Sequence, residues 1–163
     1  MTSSVLLVHD SRYGSTQEIA DEMAKTMRNQ GHEVTIASAK DAPDPRAFDL
    51  VVAGSPIYAS RIRRAIVSYF NAHRAVLAEK PVALFAVAGS LAEDTVANRE
   101  AAEAALAPLK EGIKVRSLAL FAGVIDPARL PWLARIIVRG VGAKAGDFRD
   151  WEAIRAWAES LPE

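Results

Sequence analysis

Short continuous apolar runs alternate along this chain with segments in which apolar residues recur every three or four positions. The first kind of pattern predicts buried strands and the second amphipathic helices. Residues 5–9 form a strand-length run, and Ile19, Met23 and Met27 then mark one face of a helix over 16–30, with Gly31 as its stop. Residues 33–38 alternate through Val34 and Ile36, and 49–54 (DLVVAG) make a third strand after a Pro/Asp-rich connection. Ile62, Ile66, Tyr69, Phe70 and His73 predict a helix over 61–77. A strand over 82–88, a helix over 94–109 and a strand over 115–122 follow. Asp150 reads as the N-cap of a last helix whose Trp151, Ile154, Ala158 and Leu161 share a face. Five apolar strands alternating with helices predict one α/β domain over 1–163, a doubly wound five-stranded parallel sheet with helices on both faces. Its ligand belongs at the carboxyl ends of the strands, near the switch point.

The segment joining the first strand to the first helix is Ser11-Arg12-Tyr13-Gly14-Ser15-Thr16. A loop entering a helix presents unsatisfied N–H groups and the positive end of the helix dipole. Hydroxyls of Ser11, Tyr13, Ser15 and Thr16 add neutral donors, and Gly14 allows a tight turn and close approach of an anion. Any helix start can carry a Ser/Thr cap turn, but this one stands where ligands of doubly wound sheets bind. The chain has no GxxxxGK[ST] and no GxGxxG, so fingerprints of triphosphate and dinucleotide sites are missing.

Composition narrows the chemistry. Twenty basic and twenty acidic side chains give zero net charge, against the basic excess of a nucleic-acid binder. With no cysteine, disulfides, thiolate catalysis and iron–sulfur clusters are excluded. His9, His32 and His73 lie far apart, so no metal site is expected; Glu100, Glu103 and Glu111 read as a solvated helix face. The start MTSSVLLVHDS lacks the pattern of a signal peptide, and no stretch has the length of a membrane span. A cytoplasmic protein is expected.

The loop S-x-Y-G-S-T after an apolar strand resembles the FMN phosphate loop of the flavodoxin superfamily, roughly [ST]-x-[TY]-G-x-T. The resemblance implies a flavodoxin-like fold and FMN as cofactor, with residues 11–16 around its phosphate. It further implies that Ser55, Pro56, Ile57, Tyr58 and Ala59, in a loop over 54–60, run beside the isoalloxazine ring, where Tyr58 could stack. Ala88, Gly89 and Ser90 would contact the ring's pyrimidine side. No catalytic residue is assigned, because the flavin carries electrons and protons itself; His9, as a capped strand end, and His73, on a helix, read as structural.

Residues 123–149 are too long for an ordinary strand-to-helix turn. Trp132, Leu133, Ile136, Ile137 and Val141 could form an apolar face and Arg135 with Arg139 another, while Arg129, Lys144 and Arg149 add charge. Arg61, Arg63 and Arg64 follow the ring loop. These features predict a docking surface of Arg61, Arg63, Arg64, Trp132, Arg135 and Arg139 for a lipophilic redox partner or a partner redox protein. A peripheral membrane contact and a homo-oligomer stay open. The long segment and Asp150-Trp151-Glu152 resemble the menaquinone-dependent protoporphyrinogen IX dehydrogenase family, which implies a quinone and a porphyrinogen as partners. The alternatives are an electron-transfer flavodoxin and a flavodoxin-fold interaction module. A phospho-accepting receiver domain is disfavoured, since Gly54-Ser55 stands where its Asp belongs and Ala122-Gly123 where its Lys belongs.

Overall fold

The computed structural model of the protein describes residues 2–11, 14–125 and 146–162. In chain order its principal elements are β1 (Ser4–His9), α1 (Ser15–Asn29), β2 (Glu33–Ser38), β3 (Leu50–Tyr58), β4 (Arg61–Ile62) and α2 (Arg64–Leu77). There follow β5 (Val82–Ala88), α3 (Val96–Ala105), α4 (Ala107–Lys110), β6 (Val115–Ala122), β7 (Val124–Ile125), β8 (Gly146–Asp147) and α5 (Trp151–Ser160). The sheet order is β2-β1-β3-β5-β6, every neighbouring pair parallel. The crossover through α1 leaves β1 toward β2, while the later strands build outward from its other side. The chain direction therefore switches between β1 and β3, and a crevice opens there beyond the strand ends.

Successive side chains of a strand face opposite ways, so the sheet fills two cores. Val5, Leu7, Val52 and Phe85 meet Ile19, Met23 and Met27 of α1 and Ile154 and Ala158 of α5. Leu6, Val8, Val51 and Leu84 meet Ile66, Phe70 and Leu77 of α2 and Leu106 and Leu109 beyond α3. Burial on both faces explains the continuous apolar runs. At the centre, Phe85 lies across Gly54: a Cβ there would stand 2.0 Å from its ring. Phe121 and Trp157 extend the aromatic group, with centroids 6.4 and 6.0 Å from Phe85, and the Trp157 indole N–H donates to the Ser117 hydroxyl.

The expected strands and helices are present, with four revisions. The third strand continues past Gly54 to Tyr58, so most of the anticipated ring loop is strand. Arg61 and Ile62 turn back on it, pairing antiparallel with Tyr58 and Ile57, and the following helix starts at Arg64. Chain reversal wins there because two more ladder pairs can form before the helix begins. The helix expected over 94–109 is broken between Ala105 and Ala107, where Pro108 stands in the first turn of α4 and cannot continue the backbone ladder. Ala88 ends β5, and Gly89–Ala92 form a 3₁₀ turn instead of an open loop.

Candidate functional site

The site is assembled where β1, β3 and β5 end. His9 closes β1 opposite Gly54 of β3, and Asp10 donates its N–H to the Gly54 carbonyl. Asp10 then shapes the loop. Its carboxylate accepts from the Ser11 N–H at 2.9 Å, and the Ser11 hydroxyl accepts from the Gly14 N–H at 2.9 Å. A hydroxyl that accepts one bond still has its proton to donate, so Ser11 holds the loop and keeps a donor.

Gly14 is the N-cap of α1 at φ 92°, a left-handed conformation that favours glycine. No side chain caps the helix there, and a Cβ on Gly14 would meet open space. The helix start thus faces outward, with backbone donors that no cap occupies. In its first turn Thr16 is fully buried, and its hydroxyl has no hydrogen-bond partner among the described residues. Leaving such a group unmatched costs about 1–3 kcal/mol. An anion at this helix start would supply what the described residues do not: an acceptor for the N–H groups and for Thr16. Ser15 is half-buried beside it. Arg12 and Tyr13 of the expected phosphate loop lie outside the described residues.

His9 was expected to be a capped strand end, but its Nδ1 is buried with no partner among the described residues. Burial pushes its pKa down, outweighing the Asp21 and Asp10 carboxylates, which raise it. The imidazole is therefore neutral at pH 7. His73 is half-buried in α2, its ring centroid 4.6 Å from that of Tyr69 and tilted by 46°, a structural place. Glu100, Glu103 and Glu111 are exposed.

The expected ring loop is a hairpin. Ser55 is buried, and its hydroxyl donates to the Pro56 carbonyl at 2.8 Å while accepting from the Arg63 N–H at 2.9 Å. Its side chain is used within the protein, tying the hairpin to the start of α2. Pro56 is buried, Ile57 packs toward the α2 core, and Tyr58 is half-buried at the tip. Ala59 and Ser60 both adopt positive φ, 49° and 64°. That is the geometry of a tight hairpin turn usually given to Asn and Gly, and each residue pays roughly 1–2 kcal/mol for it. Gly89 and Ser90 border the same end of the sheet, where the Asn98 side chain donates to the Ser90 carbonyl at 2.9 Å.

Charge at the site is largely paired. Arg63 meets Asp10 at 3.2 Å, a contact between residues 53 positions apart that no local pattern announces. Arg61 and Arg64 are exposed beside it. Arg149 does not join a free basic surface, contrary to expectation. It forms a two-pronged pair with Asp147 at 2.9 and 2.7 Å, binds Glu18 in the first turn of α1, and lies 4.6 Å over the Trp151 ring. Hydrogen bonding to Asp147, opposed by burial and aided by Glu18, raises its pKa further. Trp132, Arg135 and Arg139 lie outside the described residues. Asp150 caps α5 as expected, accepting from the Ala153 N–H at 3.0 Å. Among the described residues no acidic or histidine cluster could hold a metal ion, and no helix is long and apolar enough to cross a membrane.

A family model described as the flavodoxin domain matches residues 6–151. No curated protein sequence matches the chain. Among solved structures, oxidised flavodoxin 1 from Bacillus cereus is 16% identical at a TM-score of 0.62, covering 98% of this chain and 97% of that one. The flavodoxin of Streptococcus pneumoniae TIGR4 is 15% identical with the same score and coverage. Rubredoxin oxygen:oxidoreductase from Desulfovibrio gigas is 15% identical at 0.62, covering 97% of this chain. This chain spans about a third of that protein, 35%. At such identities the likeness is one of fold.

Proposed function

The chain belongs to the flavodoxin-domain family, and on that premise we propose that it is a redox flavoprotein binding FMN at the β1/β3 crevice. The observation that carries this reading is Thr16, a buried hydroxyl with no partner among the described residues, in the first turn of a helix that none of their side chains caps. A phosphate group fits that donor set: backbone N–H groups, the Ser11, Ser15 and Thr16 hydroxyls, and the dipole of a 15-residue helix. The hairpin Ser55–Ser60 and the turn after Ala88 would border the isoalloxazine ring, with Tyr58 able to stack on it. FMN supplies the electron and proton chemistry when bound. The protein's residues bind and orient it, and no side chain is asked to act as acid or base. The absorbance spectrum of the purified protein, followed by identification of the released flavin, tests this. One FMN per chain is expected, and a well-folded protein with no affinity for FMN overturns the reading.

Electron transfer to a partner is the activity this site supports. The finer reading is oxidation of protoporphyrinogen IX with menaquinone as acceptor, in the cytoplasm or at the membrane surface. Supporting it are the zero net charge, the exposed Arg61 and Arg64 beside the hairpin as partners for propionates, and the Asp150-Trp151-Glu152 helix start. Turnover of protoporphyrinogen with a menaquinone analogue is the test. Failure with every quinone leaves FMN binding intact and favours a flavodoxin-type electron carrier.

A further inference from the structure

Two carboxylates stand beside the proposed phosphate position, and each is matched by an arginine from a distant part of the chain. Asp10 immediately precedes the loop and is held by Arg63, from the start of α2; their side chains are only 14% and 32% exposed. Glu18 lies in the first turn of α1, 45% exposed and so better screened, and shares with Asp147 the Arg149 side chain, which is 8% exposed. An unmatched carboxylate near a phosphate dianion repels it, and at low exposure water screens that repulsion poorly. Asp10 cannot simply be dispensed with, because it accepts the Ser11 N–H and so fixes the residue that holds Gly14. The loop needs the acceptor and must lose the charge.

Building on the FMN reading, we propose that Arg63 is a positioning residue that brings the phosphate loop to charge balance by neutralising Asp10, while Arg149, shared between Asp147 and Glu18, offsets Glu18 only in part. Arg63 acts twice. Its backbone N–H holds Ser55 in the hairpin and its side chain holds Asp10 in the phosphate loop, so one residue sets the two halves of the crevice against each other.

The test separates charge from packing by comparing FMN with riboflavin, which lacks the phosphate. Titrations at low salt should show Arg63→Gln weakening FMN binding about tenfold while riboflavin affinity stays within about twofold. Adding Asp10→Asn to Arg63→Gln should recover most of the loss, since Asn still offers an acceptor to Ser11. Asp10→Asn alone should hold or tighten FMN binding, and Arg63→Lys should keep most of the affinity. Arg149→Gln should weaken FMN by a smaller factor, recovered only in part by Glu18→Gln because Asp147 stays charged. The proposal is overturned if Arg63→Gln binds FMN like the parent, if the second substitution restores nothing, or if riboflavin weakens in step. Should Arg63→Gln fail to fold, weaker FMN binding by Asp10→Asn overturns it equally. A parent protein that binds no FMN contradicts the functional reading instead.

Discussion

The start of α1 and the start of α5 are built by opposite rules. Asp150 caps α5, accepting from Ala153, and Thr95 likewise caps α3, accepting from Asn98. At α1 the cap is Gly14, which has no side chain to offer, and the buried Thr16 hydroxyl next to it is unmatched. Turns differ in the same way. Where a positive φ is needed at Gly31 and Gly112, between a helix and the strand that follows it, glycine supplies it; at the hairpin beside the crevice it falls to Ala59 and Ser60. The starts of α3 and α5 and the turns at Gly31 and Gly112 follow the low-energy rule. At the β1/β3 corner the chain leaves donors open and stores strain, as sites that await a ligand do.

The comparison breaks most sharply at Thr16. Thr16→Val keeps the shape and removes the unmatched hydroxyl, so the ligand-free protein should gain about 1 kcal/mol in chemical denaturation. FMN affinity should fall about tenfold or more, because a hydrogen bond to a charged group is worth roughly 1.5–3 kcal/mol. Opposite signs are the signature; a loss of both would make Thr16 an ordinary core residue. Replacing Ala59 with Asn and Ser60 with Gly should stabilise the fold by about 1–2 kcal/mol. No gain in melting temperature would show that the turn carries no strain.

Asp150→Ala sharpens the other side of the contrast. Loss of that cap should cost about 1 kcal/mol in stability and leave FMN affinity within about twofold, since it removes neither Arg149 nor Glu18. A larger loss of affinity would show that the cap holds Arg149 in place against Glu18. The smallest effect concerns His9. Its pKa is lowered in the folded protein, so below about 6.5 the unfolded chain takes up a proton that the folded one resists. Stability should be full above that pH and decline as pH falls toward the lower folded value. His9→Gln should flatten this limb in urea titrations across pH 5–7, and an unaltered slope would assign it to other groups.

Much of this was legible in the sequence, for definable reasons. Parallel strands buried on both faces leave continuous apolar runs, and Ile19, Met23 and Met27 display a helix face directly, so elements and order could be read. The phosphate-loop motif singled out this helix start because hydroxyls and glycine there are local chemistry. Contacts across the fold were not legible: nothing near Asp10 indicates Arg63, and Arg149 reads as one more cation until Glu18 and Asp147 close around it. Gly54 read as the start of a ring loop, whereas it lies inside β3 and the space beside it is filled by Phe85. The hairpin was hidden because Ala-Ser carries no preference for positive φ.

The central claim is that the open helix start at β1 holds a phosphate ester of a flavin. Calorimetric titration of the flavin-free protein with FMN and with riboflavin, side by side at one salt concentration, tests it most directly. The expected result is one FMN per chain and riboflavin binding weaker by at least about tenfold. Equal affinity for the two flavins, or binding of neither, would contradict it.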